Sequence, residues 1–432
     1  MTTASTNAEL AARYRAVLPS YLAPLYEQPI SIDRGEGSFV WDVEGNRYMD
    51  WFGGVLTTMV GHSQPEVVAA VQAQAAKVMH TSSLYLSEPM IGLAEEIAAL
   101  SGIPDPRVFF TTSGTEANDT AILLATNYRR SNEILAMRNS YHGRSFTAQA
   151  ITSHRSWSTT AVSGLSVNFV QGPYKLRSPF RDLDDDAYTQ ACVGDLVQVL
   201  DMMTAGDVAC MIAEPIQGVG GFATPPDGFF GSMHKVLSEQ GILFVSDEVQ
   251  TGWGRTGEHF WGYEAHGIVP DMLTFAKGVG NGITLAGIVA RAEIMNCLDG
   301  ISFSTFGGNP LSTAAGLATI NHVKDADLQG NALARGRQLV ERLAPIVEST
   351  PWIAELRGKG LMHAIETVHP DSIEPDATMS VKLLEATKER GLLIGKGGLY
   401  GNVLRLTPML NVTESEMGEG LDLLVDAIES IS

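Results

Sequence analysis

The chain has 432 residues, 44% of them hydrophobic and 18% charged, which excludes a disordered or fibrous protein and, at this length, a single small core. Its 29 lysines and arginines face 49 aspartates and glutamates, a formal net charge of -20 that argues against nucleic acid or an anionic membrane as the main partner. The three cysteines, Cys192, Cys210 and Cys297, are odd in number and lack metal-ligand spacing, so they read as inert thiols of a reducing compartment and not as a disulfide framework or metal site.

The amino-terminal run MTTASTNAELAARYRAVL has no basic region followed by an apolar stretch, and no apolar run elsewhere reaches membrane-spanning length. The expectation is a soluble, cytoplasmic protein. The first readable element is a hairpin, with strands at Phe39 to Val43 and Arg47 to Trp51 turning at Glu44 and Gly45. Short apolar runs then alternate with helical patterns. The expected strands are Val108 to Phe110, Ile134 to Ala136, Val167 to Val170, Cys210 to Ala213, Ile242 to Ser246, Met272 to Phe275 and Gly287 to Ala290, with helices such as Glu116 to Arg129 and Phe229 to Gln240 between them. This alternation predicts parallel strands joined by crossover helices. The acidic run Asp182 to Asp186 reads as a solvated loop. From about Thr313, helices at Ala314 to Val323 and Asn331 to Glu348 precede strands near Leu361 to Glu366 and Val403 to Thr407. The predicted class is α/β: a large domain over 66–312 with a mostly parallel sheet, and a smaller α+β domain assembled from 1–65 and 313–432.

The chemistry gathers at strand ends. The run Ile-Leu-Phe-Val-Ser leads directly into Asp247 and Glu248, and Met-Leu-Thr-Phe leads into Ala276-Lys277-Gly278. Open α/β sheets place their ligands at this carboxyl edge. An amine there can form a Schiff base with a carbonyl, and a carboxylate facing a pyridine nitrogen would keep it protonated, so that the ring acts as an electron sink. Taken singly, Asp247 reads more readily as a strand-end cap and Lys277 as a surface lysine, because structural charges are commoner than catalytic ones. Val108-Phe109-Phe110 leads into Thr-Thr-Ser-Gly-Thr-Glu, where Gly114 permits close backbone approach, Thr115 adds a hydroxyl and the start of a helix favours a phosphate. Ser113 or Thr115 could equally be an N-cap. Arg405, in Asn-Val-Leu-Arg-Leu-Thr-Pro, lies among apolar residues where a guanidinium needs an anion, either a substrate carboxylate or a structural partner. Gly218 to Gly221 and Gly278 to Gly282 lack the spacing of nucleotide-binding loops, and Arg255 reads as a brace for its own loop.

The blocks SGTEAND, YHGRSF, AEPIQGVGG, SDEVQTGWGRTG, FAKGVGNG and STFGGNP, in this order, resemble those of the class III aminotransferases, which are fold type I pyridoxal-phosphate (PLP) enzymes. The resemblance extends from about Asp33 to the strand carrying Arg405. It implies that Lys277 is the Schiff-base lysine and that Asp247 pairs with the pyridine nitrogen. It further implies that Gln250 bonds the cofactor's phenolic oxygen, that Val249 and Tyr141 cover the two ring faces, and that Ser113, Gly114 and Thr115 hold the phosphate. Thr305 is similar to a threonine that reaches the phosphate from a second subunit, which implies a homodimer with interfacial sites. Arg405 would clamp a substrate carboxylate and Glu214 would pair with it when no carboxylate is present, although Glu214 could also be a fixed structural carboxylate. No chemical role is expected of His142.

The expected reaction is ping-pong transfer of an amino group to a 2-oxo acid. The runs HTSSLYLSEPM and GLLIGKGGLYGNVLR are most similar to the alanine:glyoxylate and 3-aminoisobutyrate:pyruvate branch, which implies alanine, a β-amino acid or an ω-amino acid as donor and pyruvate or glyoxylate as acceptor. Two rival readings are a PLP-dependent lyase acting on a phosphorylated amine, whose relatives look to have lysine in place of Arg405, and a non-catalytic PLP-binding protein.

Overall fold

A computed structural model describes residues 5–160 and 162–431. Two seven-stranded sheets organise them. The terminal sheet comprises β1 (Ile32–Glu36), β2 (Phe39–Asp42), β3 (Arg47–Trp51), β11 (Ile353–Lys359), β12 (Met362–Thr367), β13 (Leu392–Gly397) and β14 (Val403–Leu406), in the order β1-β2-β3-β13-β14-β12-β11. The central sheet comprises β4 (Pro106–Thr111), β5 (Glu133–Met137), β6 (Ser166–Val170), β7 (Val208–Ala213), β8 (Leu243–Asp247), β9 (Met272–Phe275) and β10 (Ala286–Arg291), in the order β4-β10-β9-β8-β7-β5-β6. Each expected strand is present within two residues of its predicted bounds.

The strands β6, β5, β7, β8 and β9 are mutually parallel. β5, β7, β8 and β9 are buried along their whole length, as expected of a sheet covered on both faces. The exception to the prediction is β10, which runs antiparallel to both β4 and β9. Only residues 276–285 separate it from β9, with a single 3-10 turn at Lys277–Gly280. That connection is too short for a parallel crossover, so the chain reverses immediately after Lys277.

A second correction concerns the acidic run. Asp184 caps helix Asp185–Met203 by accepting from the Ala187 amide, and Asp185 and Asp186 occupy its first turn. Carboxylates there are favoured by the helix dipole, so most of the run is a helix start and not a loop. The strands β1, β11 and β13 and the amino-terminal helix Asn7–Val17 were not anticipated. β11, for example, has no apolar alternation: after Ile353 its residues are all only half-buried.

The two sheets are tied together through buried charge. Arg357 of β11 donates to Glu366 of β12 at 2.6 Å and, through Nε, to the Gly221 carbonyl at 2.8 Å. Tyr174 and Arg177 reach the same Glu366 at 2.6 and 2.5 Å. Arg255 does not brace its own loop. It donates to the carbonyls of Leu361 and Pro408, 3.2 and 2.5 Å away, and so fixes that loop to the terminal sheet. Burial lowers its pKa to about 9.

Candidate active site

A cavity of about 320 Å³ opens at the carboxyl edge of β7, β8 and β9, lined by Ser113, Gly114, Thr115, Tyr141, Glu214, Asp247, Val249, Gln250 and Lys277 among others. β8 and β9 are parallel, with Asp247 in register with Thr274. Lys277 follows three residues later and therefore emerges beside Asp247 at the same edge. Its backbone is left-handed, with φ of 51°, a conformation sparsely used by non-glycine residues and concentrated at functional sites. Burial pushes the amine's pKa below the ordinary lysine value, while the charges of Asp247 and Glu214 partly oppose that shift.

Asp247 is held from three directions. Oδ1 accepts from the Val249 amide at 3.2 Å, and Oδ2 accepts from Asn118 Nδ2 at 2.8 Å and lies 2.8 Å from His142 Nδ1. Asn118 in turn accepts from Thr274 of β9. Neither Asn118 nor His142 was assigned a role from the sequence. Nothing in their spacing marks them, because the chain brings 118, 142 and 247 together only through the sheet order. His142 Nε2 is buried without a partner among the described residues.

The phosphate-type cradle is formed by the start of helix Gly114–Arg129. Ser113 is its N-cap, accepting from the Glu116 amide at 3.2 Å, so the capping role left open by the sequence is realised while the residue still lines the cavity. Gly114 packs closely on Val249: a Cβ there would lie 3.1 Å from Val249 Cγ2, tight enough that the valine would have to give by a few tenths of an ångström. Gln250 crosses Gly218, where an added Cβ would lie 2.0 Å from Nε2, and its Oε1 is unpartnered among the described residues. Tyr141 meets Trp157 edge-on at 5.5 Å.

Glu214 and Arg405 are not paired with each other in this structure. Both Glu214 oxygens accept backbone N–H groups, from Tyr141 at 3.0 Å and Gly218 at 2.8 Å. Desolvation raises its pKa to about 7. The Arg405 guanidinium lies instead over two aromatic rings, 5.1 Å from the Phe52 centroid and 5.7 Å from that of Phe222. Its Nε and Nη1 find no partner among the described residues, and burial lowers its pKa to about 10. Thr305 is exposed and is not among the residues that line the cavity.

An amine and an anchored carboxylate share this cavity with a helix amino terminus and a polar side chain with an unpartnered atom, Gln250. These groups match the aldehyde, pyridine nitrogen, phosphate and phenolic oxygen of PLP. Comparison with known proteins agrees: residues 21–428 match the family model for aminotransferase class-III.

The chain belongs to the class III aminotransferases.

It is a PLP-dependent transaminase of fold type I. It is 38% identical over 427 residues to alanine–glyoxylate aminotransferase 2 homolog 2, mitochondrial, of Arabidopsis thaliana, covering 98% of this chain and 87% of that one. Its structure superposes on a thermostable (S)-enantioselective omega-transaminase of Thermomicrobium roseum with a TM-score of 0.91 and 31% identity, covering 99% of both chains. A phospholyase from Arthrobacter, solved in complex with phosphoethanolamine, superposes with a TM-score of 0.89 and 28% identity over 98% of this chain and 100% of that one. Among the described residues no helix is long and apolar enough to cross a membrane.

Proposed function

We propose that this class III transaminase moves an amino group from alanine, a β-amino acid or an ω-amino acid to pyruvate or glyoxylate, taking donor and acceptor in turn in one cavity. The observation that carries this reading is the buried Arg405 guanidinium, whose charge is felt by the Lys277 amine and whose Nε and Nη1 have no partner among the described residues, because a planar donor left without an anion suits a substrate carboxylate. The likeness to the alanine–glyoxylate relative supports the choice of substrates.

When bound, the cofactor supplies a protonated pyridine ring that withdraws electrons from the substrate carbon. Asp247 would hold the proton on the ring nitrogen, and Gln250 would bond the phenolic oxygen. Ser113, Gly114 and Thr115 would hold the phosphate, while Val249 and Tyr141 would cover the ring faces. Lys277 would anchor the cofactor. Because burial lowers its pKa, more of the amine is neutral near pH 7, and Nζ can take the proton from the donor carbon and return it to the cofactor side. The division into a large domain, 66–312, and a small domain from 1–65 and 313–432 is part of the same proposal, supported by the two sheets.

The proposal also includes a homodimer. Thr305 is exposed and does not line its own cavity, and the apolar residues near it, Ile301 and Phe306, are exposed as well. In a dimer Thr305 would serve the partner's phosphate site.

The test is to add candidate donors one at a time to PLP-loaded protein and follow the bound cofactor's visible absorption. Alanine or a β-amino acid should bleach the band, pyruvate or glyoxylate should restore it, and Lys277→Ala should remove the response. Release of ammonia and phosphate from phosphoethanolamine, without transfer to either oxo acid, would overturn the proposal.

A further inference from the structure

Residues Gly53 to Leu56 form a left-handed turn. Their φ angles are +55°, +58°, +68° and +61°, with ψ of 35° at Gly54 and 56° at Val55. Glycine adopts this conformation freely, whereas Val55 and Leu56 adopt it against the clash of Cβ with the carbonyl oxygen. Such a turn persists only when its surroundings over-determine it.

A buried carboxylate and a part-buried histidine do so at its start. Asp50 Oδ1 accepts from the amides of both Phe52 and Gly53, at 2.8 and 2.9 Å. Its other oxygen, Oδ2, lies 2.9 Å from His62 Nε2. His62 is itself fixed: its backbone exchanges two 2.9 Å hydrogen bonds with Gly37, and its ring occupies the space that a side chain at position 35 would take. At the far end Thr57 Oγ1 donates to the Gly54 carbonyl at 2.9 Å.

What the turn presents is functional. Phe52, immediately before it, carries one face of the Arg405 guanidinium, and Thr57, immediately after it, lines the cavity of Lys277. Leu56 packs in one apolar cluster with Phe222, the second ring near Arg405. The Phe52 ring in turn lies against the β13 backbone, where a Cβ at Gly395 would come within 2.3 Å of it.

We propose that Asp50 and His62 are positioning residues for substrate recognition: by holding the left-handed turn they fix the Phe52 ring against Arg405 and so set the affinity for carboxylate-bearing substrates. The inference rests on the reading of Arg405 as the carboxylate clamp. An aromatic pair holds a guanidinium by cation–π attraction without occupying its N–H groups, so misplacing one ring misaims the fork while leaving the amine chemistry at Lys277 in place.

The experiment compares PLP-loaded wild type, His62→Ala, His62→Gln, Asp50→Asn and Arg405→Ala. It uses pyruvate and alanine as carboxylate substrates and a simple primary amine without a carboxylate as an alternative donor. His62→Ala and Asp50→Asn should raise KM for pyruvate and alanine about tenfold with little change in kcat and unchanged KM for the simple amine. His62→Gln, which retains a donor toward Asp50, should remain close to wild type. If Arg405→Ala leaves pyruvate kinetics unchanged, the clamp reading fails and this inference with it. If Arg405→Ala raises the pyruvate KM but neither His62→Ala nor Asp50→Asn does, the positioning role alone is overturned. Equal losses with the simple amine and with the carboxylate substrates also overturn it. Should His62→Ala not fold, His62→Gln against Asp50→Asn decides the matter by the same KM split.

Discussion

His142 Nδ1 lies 2.8 Å from Asp247 Oδ2, and both side chains are buried at the floor of the cavity. A carboxylate that must hold a proton on a pyridine nitrogen has to present one lone pair in a fixed direction, and the contacts from His142, Asn118 and the Val249 amide leave it little freedom. A hydrogen bond to a charged group contributes about 1.5–3 kcal/mol, or roughly ten- to a hundredfold in an equilibrium. His142→Leu should therefore weaken retention of PLP about tenfold and lower kcat, with a lowered melting temperature as the buried carboxylate loses a partner. His142→Asn, whose amide can still donate to Asp247, should keep most of both. Dialysis followed by absorbance measures retention, and equal retention in wild type and His142→Leu would refute the role.

The contact between Gly218 and Gln250 yields a separate expectation. An alanine at 218 would put its Cβ 2.0 Å from Gln250 Nε2 and 2.3 Å from Cδ, distances no side chain tolerates, so the carboxamide must move. If Gln250 bonds the cofactor's phenolic oxygen, Gly218→Ala should shift the visible absorption maximum and lower kcat about tenfold, as Gln250→Ala should. The two changes act on one contact, so the double variant should be no worse than either single one. Additive losses would show that Gly218 acts elsewhere.

How much of this could be read from the chain differs by residue. Lys277, Asp247 and Gly114 stand at the ends of strongly patterned strands, so their position at one sheet edge followed from the alternation of apolar runs and helices. His142 and Asn118 carry no such mark, since a Tyr-His-Gly turn and an asparagine on a helix are ordinary, and only the register of β8 with β9 and the packing of the helix over them reveal that both serve Asp247. The antiparallel course of β10 was missed because its apolar run looks like that of a parallel strand; what distinguishes it is the short link from β9. The left-handed turn at Gly53 to Leu56 was likewise hidden, because Val55 and Leu56 argue locally against that conformation and tertiary contacts prevail.

Glu214 makes stability depend on pH. Burial raises its pKa in the folded protein from the ordinary carboxylate range to about 7, so the folded state binds the proton more tightly than the unfolded chain does. Its contribution is therefore fully present below the unfolded value, near pH 4.5, and is lost as pH rises through about 7. Glu214→Gln cannot titrate. Relative to wild type, the variant should gain stability as pH rises from about 5 to 8, by on the order of 3 kcal/mol for a shift of this size, whatever its offset at low pH. Melting curves of both proteins across that range provide the check, and parallel curves would mean that Glu214 is ionised throughout.

Thr305 supplies the test of the dimer. The segment that carries it is exposed, with Ile301 95% accessible and Phe306 59%, and Phe306 packs on His80 at 4.8 Å, close in sequence to the exposed Leu84, Tyr85 and Leu86. If this apolar surface is the contact of the proposed dimer, a two-fold interface would place the segment of one copy against the other. Leu86→Glu should therefore sediment as a monomer and lose activity. Complementation is sharper. Lys277→Ala lacks the amine, and Thr305→Asp repels the phosphate with an added charge, so each homodimer should be nearly inactive. If Thr305 acts across the interface, a mixed dimer contains one site with both Lys277 and the partner's Thr305 intact, and mixing after mild dissociation should restore activity toward a quarter of the wild-type value, since about half the dimers are hybrids with one good site each. If Thr305 served its own chain, every site in the hybrid would carry one lesion, and no activity would return even where native mass spectrometry shows that subunits have exchanged.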